Sequence, residues 1–118
     1  MAAKDGVGRY GEDVAVRHLE EAGLEILARN WRCSEGEIDI VARDRGVVVI
    51  CEVKTRSGLG FGLPAEAITR RKADRLRRLA YHWLREHPAR GADIRFDVIS
   101  VLRAQRGAAV VEHLRAAF

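Results

Sequence analysis

Residues 36–56 read GEIDIVARDRGVVVICEVKTR. Two runs rich in β-branched residues flank Arg45-Gly46, the composition of two antiparallel strands joined by a tight turn. Ile38, Ile40 and Ala42 fall on one face of the first strand and Val41 on the other. In the second, Val47, Val49, Cys51 and Val53 oppose Val48 and Ile50. Strands that are apolar on both faces belong inside a sheet covered on both sides. A charge in such a strand costs several kcal/mol unless something compensates it.

Asp39 and Glu52 break that apolar pattern. If Arg45-Gly46 is a two-residue turn, Asp44 faces Val47, and Asp39 then faces Glu52 with Cβ atoms about 5 Å apart. A three-residue turn would slip this register by one. Two facing carboxylates repel, and they are reconciled by a shared proton or by a divalent cation between them. Lys54, two residues after Glu52, shares its face and in the same register faces Glu37. Two carboxylates beside a lysine form a workable phosphodiesterase site. The acids hold a cation that activates water, and the lysine orients that water or stabilises the charged phosphorus centre. Oxygen ligands without a His or Cys cluster favour Mg²⁺ or Mn²⁺ over zinc. The competing reading is a structural ion network of Lys54 with Glu37 and Asp39.

Outward from this hairpin, the pattern from Arg9 to Ala22 is helical, with Val14, Ala15, His18, Leu19 and Ala22 on one face and Gly23 placed to end it. Glu12 shares a face with Ala15, Val16 and Leu19, so an acid occupies a core-facing position. It is either a helix-N-terminal acid favoured by the dipole or a further metal-site carboxylate. Strands are expected over Leu24–Arg32, Glu35–Asp44, Val47–Thr55, Asp93–Leu102 and Ala109–Leu114, with a Gly-rich loop at Ser57–Pro64. A second helix spans Thr69–His87 and stops before Pro88. Its apolar stripe is Ala73, Leu76, Ala80, Trp83 and Leu84. Its basic stripe is Arg71, Arg75, Arg78, His82 and Arg85, joined by Lys72. Such a stripe is either a solvated face or a contact for a phosphate backbone. Arg56 continues the face of Glu52 and Lys54 and is a weaker candidate for a phosphate contact. The order αβββαββ is that of an α/β domain with a mixed sheet.

The 118 residues suit one domain spanning 1–118, with residues 1–8 frayed. Apolar residues make up 47%, which excludes a disordered chain, and 21 Lys and Arg against 17 acids permit a polyanionic partner. Cys33 and Cys51 form no CxxC or CxxH pair, which argues against a zinc site. The N-terminus MAAKDGVGRYG has no apolar stretch and the longest apolar run, Val47 to Cys51, is too short to span a membrane, so a cytoplasmic location is expected. Trp31 and Trp83 read as core residues. Asp97 receives no role, and His18, His82, His87 and His113 show no ligand spacing.

Asp39 followed by Glu52-Val53-Lys54 resembles the PD-(D/E)xK nuclease signature, with Ile38 where that signature has proline. GRYGED at 8–13, EIDIV at 37–41, ICEVKTR at 50–56 and RFDVISV at 95–101 together resemble the YraN family, small bacterial proteins predicted to be endonucleases similar to archaeal Holliday-junction resolvases. The resemblance runs from about Gly8 to Phe118. It implies a restriction-endonuclease-like fold, a mixed central sheet flanked by helices, and a Mg²⁺- or Mn²⁺-dependent endonuclease acting on DNA, with branched or otherwise structured DNA among the substrates to expect. Carried over, Asp39 and Glu52 match the metal-binding carboxylates, Lys54 the catalytic lysine and Glu12 the helix carboxylate that resolvase-like members add. Such cleavage leaves a 5′-phosphate, and resolvases suggest a homodimer by analogy. The alternatives left open are a non-catalytic nucleic-acid-binding module and an adaptor that needs a partner for activity.

Overall fold

A computed structural model of the chain describes residues 6–57, 68–88, 93–104 and 106–118. Its elements run α1 (Gly6–Glu21), β1 (Glu25–Cys33), β2 (Gly36–Asp44), β3 (Val47–Ser57), α2 (Arg70–Glu86), β4 (Asp93–Arg103) and β5 (Val110–Leu114). The strands form one mixed sheet in the order β1-β2-β3-β4-β5, in which only β3 and β4 are parallel. Parallel neighbours need a crossover, and α2 lies in the connection between them. The first helix begins three residues before Arg9, so residues 6–8, expected to fray, are helical. Residues 1–5 and the Gly-rich loop beyond Ser57 lie outside the described residues.

The doubly apolar hairpin is the centre of the sheet because both its faces are covered. On one face Val49, Cys51, Ile40 and Ala42 pack with Ile99 and Val101 of β4 beneath Ala15 and Leu19 of α1. On the other, Val41, Val48 and Ile50 pack against Leu76, Leu79, Ala80 and Trp83 of α2. Cys51 is buried as a free thiol, and burial pushes its pKa well above the usual range. Trp83 is a core residue, 1% exposed, whereas Trp31 is only partly covered. Among the described residues no helix is long and apolar enough to cross a membrane.

The turn at Arg45-Gly46 holds two residues, with Asp44 paired to Val47. Its left-handed backbone falls on Arg45 (φ 59°) and not on Gly46. A true close approach of backbone to neighbour occurs elsewhere, at Gly11. A Cβ there would lie 1.8 Å from Oγ1 and 2.7 Å from Cβ of Thr55, so α1 rests on β3 at a point where only hydrogen fits.

One expectation about the hairpin fails. Ile38 does not share the face of Ile40: Ile40 packs under α1, while Ile38 packs with the α2 cluster. Strict alternation would put them together. The residue between them is Asp39, which falls in the register of neither neighbouring ladder.

Candidate functional site

Asp39 stands where β2 loses its regular backbone pairing. The β2–β3 ladder runs from Asp44↔Val47 to Ile40↔Cys51 and ends there. Toward β1 the ladder passes from Arg29↔Ile40 to Trp31↔Ile38, over Asn30 and Asp39. Asn30 takes a left-handed backbone, φ 52°, which asparagine tolerates better than most residues. The register therefore has the phase that sequence implies but stops one pair short: Asp39 and Glu52 are not a ladder pair, and Lys54 is not brought opposite Glu37. The reason lies in the Asp39 side chain. Its Oδ2 accepts a hydrogen bond from the Val53 amide at 2.9 Å, taking the donor that a continued β-structure would have shared with main chain. Glu37 receives Arg32 Nε at 3.0 Å.

Glu52 lies on the α2 side of β3, in phase with Val48 and Ile50. Like Asp39 it is 8% exposed. Burial at that level demands a countercharge, and two ammonium groups supply it. Lys54 Nζ lies 3.4 Å and Lys72 Nζ 2.5 Å from the same oxygen, Oε2. Lys54 follows from the strand period. Lys72 reaches Glu52 from the first turn of α2, which Thr69 caps by accepting from the Lys72 amide at 3.1 Å. The two lysines diverge electrostatically. Burial and then the adjacent Lys72 draw the Lys54 pKa down against the attraction of Glu52. Burial also acts to lower Lys72, but its bond to Glu52 outweighs it and holds Lys72 above the usual lysine value. Lys72 is thus the tighter partner of Glu52.

Glu12 is 2% exposed, on the core face of α1 where its spacing puts it. Its Oε1 accepts from Asn30 Nδ2 at 2.7 Å and lies 3.4 Å from Arg29. Asn30 is the β1 residue at the level of Asp39, so Glu12 is tied to the strand next to the opened ladder. Among the described residues no group of three or more His, Cys, Asp or Glu side chains is gathered as a ready set of metal ligands.

The basic stripe divides. Arg71, Lys72, Arg75 and Arg78 line one cleft of about 310 Å³ with Thr69, at the α2 end that carries Lys72 to Glu52. Arg71, Arg75 and Arg78 are exposed, and Arg78 Nε lies 3.4 Å from Glu35. Arg85 is outside this cleft, with its guanidinium 5.7 Å from the centre of the exposed Tyr81 ring. Arg56 is half-buried on β3 and is not among the cleft residues.

A second polar cluster received no role from sequence. Asp97 is fully buried on β4. Arg95 donates to both of its oxygens at 2.9 Å, His113 Nε2 lies 2.7 Å from Oδ2, and the Ala116 amide donates to Oδ1 at 3.0 Å. Arg95 also reaches Asp44 at 3.0 Å, and His113 Nδ1 meets His18 Nε2 of α1 at 3.1 Å. Burial acts to raise the Asp97 carboxyl, but the bonds from His113, Arg95 and Ala116 outweigh it and hold it at about 2. The i, i+2 spacing of Arg95 and Asp97 was the available signal. The histidine partners come from elements distant in sequence and left none.

A family model described as "Uncharacterised protein family UPF0102" matches residues 11–101. A UPF0102 protein of Beutenbergia cavernae is 60% identical over 115 residues, covering 98% of each chain. One of Frankia casuarinae is 58% identical over 118 residues, covering 100% of each. One of Acidothermus cellulolyticus is 49% identical over 127 residues, covering 99% of this chain and 96% of its own.

Proposed function

The chain belongs to the uncharacterised protein family UPF0102, and we propose that it is a divalent-cation-dependent endonuclease that hydrolyses phosphodiester bonds in DNA. The observation that carries this reading is the convergence of Asp39, Glu52, Lys54 and Lys72 where β2 and β3 part. The same Asp39, Glu52 and Lys54 carry the resemblance to the PD-(D/E)xK signature. Two nearly buried carboxylates do not persist in a sheet centre without a cationic partner. Lys54 and Lys72 provide one to Glu52.

The donor set fits Mg²⁺ or Mn²⁺: Asp39 and Glu52 offer hard carboxylate oxygens. These two residues would hold the ion; Glu12, engaged by Asn30 and Arg29, is not gathered with them into one ligand set among the described residues. When bound, the ion would supply Lewis acidity and lower the pKa of water. Lys54 then stands beside Glu52 to hold the attacking water or the charge that develops on the phosphate. Arg71, Lys72, Arg75 and Arg78 receive backbone phosphates, which positions the strand without reading its sequence. Arg85 and Arg56 would extend that contact from outside the cleft.

The test is cleavage of linear, flapped and four-way DNA with Mg²⁺ or Mn²⁺, with and without chelator. Chelator-sensitive cleavage that disappears in Lys54→Ala supports the reading. A second reading, a nucleic-acid-binding module without chemistry, is favoured by the absence of a ready three-ligand set among the described residues. It predicts DNA binding that survives chelation and no cleavage of any of the three substrates.

A further inference from the structure

Lys72 is placed where a helix least favours a cation. It occupies the first turn of α2 together with Arg70 and Arg71, and no acid is present there. The amide dipoles make that end positive, so three cations in it oppose the field. Arg70 and Arg71 remain exposed, in water. Lys72 instead turns inward, with a side chain 24% exposed, and ends 2.5 Å from Glu52 Oε2. Lys54 lies 3.4 Å from that same oxygen. A single carboxylate neutralised by one lysine does not require a second, and the second is the closer of the two. The oxygen that Lys72 occupies belongs to one of the two acids to which the proposed cation site is assigned.

We infer that Lys72 is the resident counter-ion of the metal-free site, occupying Glu52 until a divalent cation displaces it and releases its ammonium toward the phosphate-binding cleft. This rests on the proposed metal reading of Asp39 and Glu52. Lys72 lines the cleft with Arg71, Arg75 and Arg78 while its ammonium is on Glu52. A four-carbon stem with three rotatable donors can exchange one site for the other without moving the helix. Metal entry and phosphate capture are then linked through one side chain. It is a positioning residue, acting on the metal site through Glu52.

The test is calorimetric titration of Mn²⁺, without DNA, into the wild type, Lys72→Met, Lys72→Arg and Glu52→Gln. Methionine keeps an unbranched apolar side chain and a high helix propensity. Removal of the competing charge predicts Mn²⁺ binding about tenfold tighter in Lys72→Met, equivalent to about 1.4 kcal/mol of competition. Lys72→Arg, which keeps the charge, predicts wild-type affinity or weaker. A merely structural lysine would give the reverse, since a loosened Glu52 binds less well. Unchanged or weaker binding in a folded Lys72→Met, with binding intact in the wild type and lost in Glu52→Gln, overturns the counter-ion role and leaves the metal site standing. Absence of binding in all four proteins overturns the metal reading and this inference with it. If Lys72→Met melts below the working temperature, Lys72→Gln serves in its place with the same expectations.

Discussion

Gly11→Ala separates the structural account from helix propensity, because the two disagree in sign. Gly11 lies inside α1, and a helix-interior glycine replaced by alanine gains about 1 kcal/mol where nothing is near. Here the new Cβ would sit 1.8 Å from Thr55 Oγ1, 2.7 Å from Thr55 Cγ2 and 2.7 Å from Thr55 Cβ. Rotation about χ1 removes the first two overlaps and leaves the third, because Cβ is fixed by the β3 backbone. Either α1 lifts or β3 bends. Such overpacking costs about 1–3 kcal/mol, so the net expectation is a loss of about 0–2 kcal/mol, centred on 1. For a chain of this length that is a fall in Tm of roughly 3–6 °C. Urea melts and calorimetric scans of Gly11→Ala measure it, and Thr55→Gly in the same background should recover part of the loss through a non-additive coupling. A Gly11→Ala protein more stable than wild type by about 1 kcal/mol would refute the argument and show that the contact is soft. The position bears on the proposed site because Gly11 precedes Glu12 and Thr55 follows Lys54.

Asp97 gives a pH dependence with a definite sign. Its folded-state pKa of about 2 lies below the usual value of about 3.9, so its contribution is present above pH 4 and is lost as pH falls toward 2. The contribution is about 2 kcal/mol for this fully buried group. Asp97→Asn should therefore be destabilised at pH 7 by at least that much, with the deficit narrowing in urea melts below pH 4; a deficit independent of pH would contradict the ion pairing. Arg75→Ala and Arg78→Ala should each lower DNA affinity across sequences and reduce the slope of log K against log salt by about 1. An unchanged slope in filter-binding titrations would remove those residues from the phosphate contacts. Asp39→Asn should fold with a near-wild-type melt, because the amide oxygen can still accept from Val53. A collapse of stability would mean that the Asp39 charge itself supports the fold.

Sequence was most informative where one residue type can do only one thing. The two apolar faces of residues 36–56 implied a central hairpin, and Arg45-Gly46 set its phase, as Asp44↔Val47 shows. Every helix and strand appears within about three residues of its expected span. What did not follow from sequence was how far the register holds. Alternation treats a strand as uniform, but a side chain that takes a neighbour's amide, as Asp39 does from Val53, ends the ladder and sends Ile38 to the other face. Helical spacing places Lys72 with the surface charge of α2, because spacing reports which face a residue is on and not how far a long side chain reaches. The Asp97 cluster was mostly hidden for a further reason. Arg95 is local to Asp97, but Asp44, His113 and His18 come from β2, β5 and α1, and nothing local in the chain relates those three to it.

The central claim is that Asp39 and Glu52 form one cation site beside Lys54. Titration of Mn²⁺ into the wild type, Asp39→Asn and Glu52→Gln, each checked for folding by its thermal melt, tests it most directly. The account predicts saturable binding in the wild type and its loss in both variants. Saturable binding that persists unchanged in either folded variant would contradict it.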